Sequence, residues 1–526
     1  MSADLDARYR RRNRRPGRPG RRARRRGGPL LGALGALGAL VALVALVALY
    51  VAAILIVPPL VAPPTAVGIA APARADARPR YLTDDSWLDP NGERRLEQTI
   101  FDHALAMIGR AERLVYVDMF LFNDWQGPDP ETHRRLADAL AAALRERRRE
   151  RPELAAVLVT DPINTVYGGL RSPRLDALGD AGVEVVLSDL VPLQDSNRLW
   201  SGLWRVLVRP FGNAPGGSLP NPLGPGTVTL RSYLALANFK ANHRKLLVAD
   251  DAEGVFRALV TSANPHDGSA AHRNTALAFE GAAALDLLAA ERTLLALSGA
   301  ERAIALLDLA LAGRTAVPAS SSGAVSASAE DPGASVQVLG ERRIEEAALE
   351  LLAGAGDGAR VDLTMFYLAD RDLIAALLAA HRRGARVRVL LDVNRDAFGR
   401  AKNGVPNRPV AAELDRAGVA VRWCATAGEQ CHAKQLYVGA DETHGLLLGS
   451  ANFTRRNLHD LNLETDVRVT MGAETALARR VRAHFDRQWD NTAERTYSLD
   501  YETHADESPW LMLQYRLMEA TGLSTF

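Results

Sequence analysis

The chain has 526 residues, of which 47% are hydrophobic and 24% are charged, enough to bury a large core in two domain-sized units. Its formal net charge of +2 is unevenly distributed, because residues 1–28 hold twelve Arg against Asp4 and Asp6 and leave −8 for the remainder. An acidic body argues against non-specific nucleic-acid binding, which depends on Lys and Arg side chains that neutralise many phosphates.

A long uncharged stretch follows this basic tail. Between Gly27 and Ala73 the chain has no charged residue, and 30–57 consists almost wholly of Leu, Ala, Val, Ile and Gly. This length exceeds the roughly 20 residues that a helix needs to cross a bilayer, and the Arg-rich flank predicts a cytoplasmic N-terminus with the body on the other side. The alternative is a cleaved signal peptide, because small residues typical of a cleavage site occur at Ala71, Ala73 and Ala75.

The body shows an internal duplication. The segment Gly92–Glu97 reappears as Gly340–Glu345, and each copy precedes an apolar strand pattern that contains Met-Phe, at Phe120 and at Phe366. Strand and helix patterns alternate in both halves. We therefore predict an α/β fold with two homologous lobes, each a mixed sheet flanked by helices, preceded by one transmembrane helix.

Composition sets the predicted boundaries. A segment rich in Ser, Ala, Gly and Pro separates the halves and is typical of a linker. The second apolar strand of each half ends in an aspartate, Asp161 or Asp392. The predicted segments are a basic cytoplasmic tail over 1–28, a transmembrane helix over 29–58, a flexible stalk over 59–80, lobe 1 over 81–314, the linker over 315–335 and lobe 2 over 336–526.

Lobe 1 is longer than lobe 2 between their shared landmarks, and most of the difference can lie in an insertion around 187–237. This insertion carries Trp200, Trp204, Phe211 and Tyr233 among Gly and Pro residues. One interpretation is a loop that covers the site or dips into a lipid interface, where Trp and Tyr are favoured. The other is a surface loop that packs on its own aromatic side chains.

The strongest chemical signal is a repeated set of polar residues. Each half has a His and a Lys separated by one residue, His243 with Lys245 and His432 with Lys434. Residues i and i+2 of a strand face the same side, so each pair can point at one ligand. A repeated constellation indicates a function, whereas a single His-x-Lys is common by chance. Each half continues with Ser-Ala-Asn and a later Asn, namely Ser262, Asn264 and Asn274 in the first half and Ser450, Asn452 and Asn462 in the second.

This constellation resembles the phospholipase D superfamily, whose mark is two copies of His-x-Lys-x4-Asp followed by Gly/Ser-x-Asn. The resemblance covers about residues 85–490 and implies two phospholipase D-like lobes. His243, Lys245 and Asp250 match the first copy fully, whereas Gly439 stands where the second copy expects its aspartate. No cofactor is implied, and we predict no metal site, because Lys and Asn rather than converging carboxylates surround the motifs.

The resemblance and the chemistry of phosphodiesters together suggest residue roles. Fixed cations and amide donors stabilise the charge that grows on the phosphate oxygens. One imidazole attacks phosphorus and the other protonates the leaving alcohol; the family pattern implies His243 as nucleophile and His432 as general acid, while the duplication alone leaves this order open. The predicted catalytic residues are His243, Lys245, Asn264, His432, Lys434 and Asn452, and the predicted supporting residues are Asp250, Ser262, Ser450 and Glu464.

Several neighbouring residues have secondary expectations. Glu464 is expected to hydrogen-bond one imidazole and set its tautomer, and by spacing its counterpart in lobe 1 is Ala276, which leaves Glu280 as a fallback. Cys424 and Cys431 can form a disulfide beside His432 if the body is outside the cytoplasm; two free thiols are the alternative. The remaining histidines near the motifs are expected to be exposed or supporting, namely His266, His272, His444 and His459.

The leading functional hypothesis is a membrane-anchored enzyme that acts on phospholipid head groups, by hydrolysis or by transfer to an alcohol as in cardiolipin synthases. The anchor would hold the site near its substrate. A nuclease of the same superfamily is one alternative, and the acidic body counts against it. An inactive envelope scaffold is the other, and the retention of both His-Lys pairs counts against that.

Overall fold

The structure, a computed structural model, describes residues 29–60, 68–127, 130–131, 133–312, 333–397, 400–522, 524 and 526. The predicted tail over 1–28 and most of the predicted linker over 315–335 lie outside these residues. Helix α1 (Pro29–Leu60) forms a unit of its own up to Leu55. Within the described residues, one helix is long and apolar enough to span a membrane, with a mean hydropathy of 2.5 over Gly35–Ala52.

Lobe 1 is built on one mixed sheet of eight strands in the described part of the chain. Its central strands are apolar runs that are buried on both faces, as parallel strands covered by helices usually are. The sheet order is β2-β1-β10-β9-β8-β3-β4-β5, and β6 and β7 form a separate two-stranded ribbon. The strands are β1 (Arg80–Leu88), β2 (Arg94–Gln98), β3 (Leu114–Met119), β4 (Ala155–Thr160), β5 (Glu184–Leu187), β6 (Leu219–Pro220), β7 (Thr227–Val228), β8 (Lys245–Asp250), β9 (Phe256–Thr261) and β10 (Asn274–Glu280).

The helices of lobe 1 cover this sheet. Helices α2 and α3 carry apolar stripes that pack on one face, while α7 and α8 pack on the other. They are α2 (Ile100–Arg110), α3 (Leu136–Glu150), α4 (Pro173–Asp180), α5 (Arg198–Leu207), α6 (Leu230–Leu236), α7 (Ala282–Leu297) and α8 (Glu301–Leu311).

Lobe 2 repeats the architecture. Its eight-stranded sheet has the order β11-β19-β18-β17-β12-β13-β16-β20, so β17 takes the place of β8 and β19 that of β10. The strands are β11 (Ser335–Gly340), β12 (Arg360–Met365), β13 (Arg386–Leu391), β14 (Asp396–Ala397), β15 (Arg400–Ala401), β16 (Ala420–Cys424), β17 (Lys434–Ala440), β18 (Thr443–Gly449), β19 (Thr465–Gly472) and β20 (Ser498–Asp500). The helices are α9 (Arg342–Ala353), α10 (Arg371–Arg382), α11 (Asn407–Arg416), α12 (Arg455–Leu458), α13 (Ala476–Asp490) and α14 (Pro509–Thr521). The predicted α/β fold with two mixed sheets flanked by helices is confirmed.

The two sheets share a core. One hydrophobic cluster joins the inner face of the first sheet, including Tyr116 and Leu246, to the inner face of the second, including Val336, Leu448 and Val467. Each sheet buries its outer face separately against its own helices. The lobes are therefore packed sheet against sheet around common apolar side chains, which fixes the positions of their strand ends.

The repeated segment differs in structure between the lobes, and the predicted extent of the stalk is wrong. The segment Gly92–Glu97 does not take the same structure as Gly340–Glu345, because it leads into the edge strand β2, while Arg342 begins helix α9. The stalk was expected to reach residue 80, but Ala71 donates a backbone hydrogen bond to Val338 and Arg74 exchanges two with Val336. From Ala70 onward the chain therefore pairs with the edge strand of lobe 2.

Candidate active site

Each His-x-Lys motif lies beside a backbone segment of the opposite lobe. The His243 amide donates to the carbonyl of Leu463 at 2.8 Å, and the His432 amide donates to the carbonyl of Arg273 at the same distance. Because Leu463 precedes β19 and Arg273 precedes β10, each histidine is held by the segment that leads into the last motif strand of the opposite lobe. Both imidazoles line one cleft, with a volume of about 1190 Å³.

The lysines lie behind the histidines. Each ammonium group donates to the carbonyl of its own histidine at 2.6 Å, Lys245 to His243 and Lys434 to His432. Each also lies about 5 Å above an aromatic ring, 5.0 Å from Phe120 in lobe 1 and 5.1 Å from Phe366 in lobe 2. Both lysines are buried, so their amino groups are set beneath the cleft.

The imidazoles have unequal partners. Nδ1 of His243 lies 2.9 and 3.0 Å from the two carboxylate oxygens of Glu464, whereas Nδ1 of His432 lies 3.2 Å from the amide oxygen of Asn274. In both lobes the partner comes from the other half of the molecule. With Nδ1 held in this way, Nε2 is the ring nitrogen left for a ligand in the cleft.

Glu464 and Asn274 are structural counterparts. Ser450 donates to Glu464 at 2.5 Å and Ser262 donates to Asn274 at 2.9 Å. The expected counterpart of Glu464, Ala276, is therefore wrong. Glu280 is not a fallback either, because it forms ion pairs with Arg78 and Arg257 at the far end of β10.

Burial dominates the electrostatics of the site. It lowers the pKa of His243 to about 4, with Glu464 raising it in opposition, and it lowers that of His432 well below the ordinary value, aided by Lys434. Burial also lowers the pKa of Lys245 to about 7 and, with the neighbouring Lys245, lowers the pKa of Lys434 well below its ordinary value. Burial acts to raise the pKa of Glu464, but His243, Lys245 and the hydrogen bond from Ser450 together hold it below its ordinary value. Burial thus favours neutral imidazoles, and an anion bound between them would favour their charged forms.

One aspartate in each lobe positions the backbone just before the histidine. Asp161, which follows β4, accepts from the amide of Asn242 at 2.7 Å, and Asp392, which follows β13, accepts from the amide of Cys431 at 2.7 Å. The sequence shows both as strand ends but does not assign them this role. Asp250 is remote from the cleft in comparison, because its carboxylate accepts from the backbone amides of residues 112–114.

The two Ser-Ala-Asn triplets end at the cleft. Asn264 and Asn452 both line it, and the Asn264 amide oxygen accepts from the backbone of Leu121 at 3.3 Å. Asn452 takes the corresponding position after the end of β18 in lobe 2, and both asparagines are 5% exposed. The predicted catalytic histidines and asparagines are therefore gathered in one place.

Aromatic and apolar side chains form the outer wall. The insertion in lobe 1 and the residues just after it contribute Leu223, Leu236 and Phe239, and Phe526 also lines the cleft. His266 and His272 also line the cleft, and the His272 ring lies 5.8 Å from that of His432. His444 and His459 lie elsewhere, bonded to Tyr437 and to Asp370. The sequence signal for this wall was the aromatic insertion, but it could not identify which residues face inward.

Cys424 and Cys431 form a disulfide. This bond ties the end of β16 to the residue before His432. Of the two alternatives left open by the sequence, the structure has the bonded one.

Comparison with known proteins identifies the second lobe. Residues 349–489 match the family model described as cardiolipin synthase, PLD-like domain. No curated protein matches the chain. Among solved structures, the phosphatidylserine synthase of Haemophilus influenzae Rd KW20 is 12% identical, with a TM-score of 0.49 and coverage of 83% of this chain and 92% of that one.

Two further structures are similar over different extents. The polyphosphate kinase of Porphyromonas gingivalis is 13% identical, with a TM-score of 0.40, and 84% of this chain aligns with 53% of the kinase, about half its length. Nuc from Salmonella typhimurium, a phospholipase D family member, is 22% identical with a TM-score of 0.26, and 32% of this chain aligns with 98% of Nuc. The family match is limited to residues 349–489, which include the second His-x-Lys motif, and over this stretch the chain is similar to the phospholipase D superfamily.

Proposed function

We propose that the chain is a membrane-anchored phospholipase D-like enzyme that acts on phospholipid head groups, either as a phosphodiesterase or as a phosphatidyltransferase. The observation that carries this proposal is the pair of imidazoles in one cleft, each held through Nδ1 by a residue of the opposite lobe. This arrangement can hold a single phosphorus atom between two Nε2 atoms.

The proposed reaction has two displacements. Nε2 of neutral His243 attacks phosphorus, the P–N bond forms, and the P–O bond to the head-group alcohol breaks as His432 donates a proton to the leaving oxygen. His432 then takes a proton from water or an acceptor alcohol, whose oxygen attacks phosphorus while the P–N bond breaks. Glu464 supports His243 as nucleophile, because its carboxylate stabilises the positive ring of the phosphohistidine.

The proposed roles of the other residues follow from charge. A bound phosphate favours the charged forms of the buried Lys245 and Lys434. Their ammonium groups then supply a positive potential beneath the phosphate, which is stronger in a low-dielectric site than in water. The amides of Asn264 and Asn452 can donate to the phosphate oxygens from the cleft wall. Together they would stabilise the charge that grows on those oxygens during displacement.

A lipid substrate is favoured by the outer wall and by the anchor. Leu223, Phe239 and Phe526 offer apolar surface next to the histidines, where a diacylglycerol moiety could lie. The candidate membrane-spanning helix would keep the body close to such lipids. We propose that the body lies outside the cytoplasm, and the Cys424–Cys431 disulfide supports a non-reducing compartment.

The test is an assay of the full chain in detergent micelles with labelled phospholipids, with and without glycerol, and separately with single-stranded and duplex DNA. Released phosphatidic acid indicates hydrolysis, and a new phosphatidyl ester indicates transfer. Cut DNA with intact lipid would replace the proposal with a nuclease, and no product in any arm would favour the scaffold.

His243→Ala is the matched variant for this assay. We expect turnover to fall by at least about 10³-fold, because the nucleophile is lost, while the far-ultraviolet circular dichroism and melting temperature stay close to those of the parent chain. A folded variant that turns over phospholipid at the parent rate would contradict the assignment of His243.

A further inference from the structure

Helix α5 in the insertion of lobe 1 turns its apolar side chains to solvent, which is the reverse of an ordinary surface helix. A helix on a globular protein usually turns its apolar stripe to the core and its polar face to water. In α5 the residues turned to the body are Ser201 and Gly202. The side chains on the outer face, together with the turn that follows, are apolar and 37 to 72% exposed, namely Leu199, Leu203, Val206, Leu207 and Phe211. We call this set the α5 face.

The α5 face is a concentrated feature of the molecule. In the part of the body that the structure describes, most exposed large apolar side chains lie on this insertion or on helix α14, where Trp510, Leu513 and Leu517 follow helical spacing. The exceptions outside these two segments are Leu96 and Leu309. Contiguous exposed apolar surface of this kind marks an interaction site rather than ordinary solvent-facing surface.

The helix is rigidly fixed on its inner side. The Asn197 side chain caps its first turn at Trp200, the Trp200 indole donates to the carbonyl of Leu234 at 2.8 Å, and Ser201 donates to Asn238 at 2.7 Å. These contacts hold α5 on the segment that leads directly to His243. The aromatic side chains of the insertion thus anchor it, while Phe211 remains 72% exposed.

The same insertion also forms part of the cleft. Leu223, Leu236 and Phe239 line the wall next to His243. On the other side, the end of α14 approaches α5 so closely that a Cβ on Gly522 would lie 2.3 Å from the carbonyl oxygen of Ser196. Apolar surface is therefore present both outside the cleft, on the α5 face, and on its inner wall.

Charge indicates the nature of the partner. From Ser196 to Lys240 the sequence contains five basic residues and no acidic residue, although the body as a whole is acidic. Two of the five, Arg205 and Lys240, pair with Asp195 immediately before this stretch. Three of the five lie on α5 or on the turn that follows it, namely Arg198, Arg205 and Arg209, and of these Arg198 and Arg209 are exposed. An apolar helix face flanked by arginines matches the interface of an anionic bilayer, where apolar side chains enter the acyl boundary and the cations meet lipid phosphates.

We propose that the α5 face docks the body on the surface of an anionic phospholipid bilayer, so that the cleft draws its substrate directly from that surface. This proposal rests on the proposed function for its purpose, but docking can be measured without catalysis. The occupant is the lipid surface itself rather than a second protein.

The experiment places one reactive cysteine in the chain. Cys424 and Cys431 are bonded to each other, so a cysteine added by substitution is the single free thiol among the described residues. Val206→Cys places it on the α5 face, and Leu309→Cys on α8 is the matched control, since the two native side chains are 61% and 67% exposed. The full chain carrying an environment-sensitive fluorophore at either site is reconstituted in vesicles of phosphatidylcholine and phosphatidylglycerol that contain a spin-labelled quencher lipid.

We expect quenching of the probe at 206 to exceed that at 309 by about threefold or more, and to decrease when phosphatidylglycerol is omitted. Both chains carry the same N-terminal helix, so the loss of quenching at 206 when phosphatidylglycerol is omitted separates docking by the α5 face from tethering. Equal quenching at both positions would overturn the proposal. Protection of the 206 probe by duplex DNA, with no quenching by lipid, would overturn it as well.

Catalysis provides a separate measurement. We expect Val206→Asp with Leu207→Asp to lower turnover of vesicle phospholipid by about fivefold or more, because a charged face enters the bilayer poorly. Turnover of a soluble short-chain phospholipid should stay within about twofold of the parent rate. Equal losses on both substrates would contradict docking, and absence of turnover by the parent chain on both would refute the proposed function while leaving the quenching result to decide on docking.

Discussion

The unequal partners of the two imidazoles are the feature of single residues that matters most for the proposed chemistry. His243 faces the carboxylate of Glu464, and His432 faces the neutral amide of Asn274. A carboxylate favours a positively charged ring, whereas an amide oxygen does so less. The asymmetry therefore supports His243 as the residue that carries the phosphoryl group, an order that the duplicated sequence alone leaves open.

Glu464→Gln tests this role. The carboxylate raises the pKa of His243 against the effect of burial, so its removal should lower that pKa further and move the acid limb of kcat/KM to lower pH. Turnover at the optimum should fall by roughly 10- to 100-fold, because the phosphohistidine loses its counter-charge. Both effects appear in pH-rate profiles with a soluble phosphodiester.

The control for this variant is Glu280→Gln, which neutralises a carboxylate of lobe 1 that pairs with Arg78 and Arg257 away from the cleft. It should leave the pH profile unchanged. A Glu464→Gln chain with a reduced rate but an unshifted acid limb would show that Glu464 only supports local packing.

At the scale of elements, the motif residues at the strand ends show which contacts could be predicted from the sequence and which could not. Residues i and i+2 of a strand share a face, so the pairing of histidine with lysine in each motif followed from spacing alone. The pairing of Glu464 with His243 did not. The segment from Ser450 to Glu464 is two residues longer than that from Ser262 to Asn274 and contains α12, so counting from the triplets assigned the wrong counterpart.

The same limit applies to the burial of the lysines and to the two aspartates. A strand pattern shows that Lys245 and Lys434 follow the histidines, but it does not show that their ammonium groups turn back to the histidine carbonyls and lie about 5 Å from the rings of Phe120 and Phe366. Asp161 and Asp392 are each separated by tens of residues from the backbone amides that donate hydrogen bonds to them. Such contacts depend on the tertiary packing of the sheet, which no local pattern contains.

His459 joins three helices of lobe 2. It follows α12, and its imidazole lies 3.0 Å from Asp370, which caps α10, and 3.3 Å from Glu345 of α9. The hydrogen bonds to Asp370 and Glu345 raise the pKa of His459 to about 10. The stabilisation of the folded state is therefore complete below the ordinary histidine pKa of about 6.5, decreases between pH 6.5 and 10, and is lost above that range.

We expect His459→Gln to lower the melting temperature by about 1–3 °C at pH 6 and by nothing measurable at pH 10.5. Scanning calorimetry of both chains over this pH range measures the difference. His103→Gln is the control, because burial lowers the pKa of His103 to about 4 and its charge does not change over the same range. A His459→Gln deficit that is constant with pH would contradict the charged pairing.

At the scale of the whole molecule, the two lobes complete one another. Each histidine receives its backbone acceptor and its Nδ1 partner from the opposite lobe, and the shared core includes side chains of both sheets. The chain before β1 also pairs with the edge strand of lobe 2. Neither lobe could therefore present its own histidine correctly, although each has the strands that carry one.

This interdependence predicts that the covalent connection between the lobes is dispensable once they have folded. A protease recognition sequence placed in the predicted linker over 315–335 allows the purified full chain to be cut there. We expect the two fragments to elute together in size-exclusion chromatography in detergent, since separation would expose the apolar inner faces of both sheets to water. Phospholipid turnover should remain within about twofold of the uncut chain.

Arg273→Met in the same cleavable chain provides the contrast. The buried Arg273 side chain donates to the carbonyls of Ser86, Ala425 and Tyr497, and its own carbonyl accepts from His432. Its loss leaves three buried carbonyls without this donor, so we expect the cut variant to separate at a lower denaturant concentration and to lose turnover as it does. Fragments of the parent chain that separate in native buffer, or that remain fully active when apart, would contradict a single site completed by both lobes.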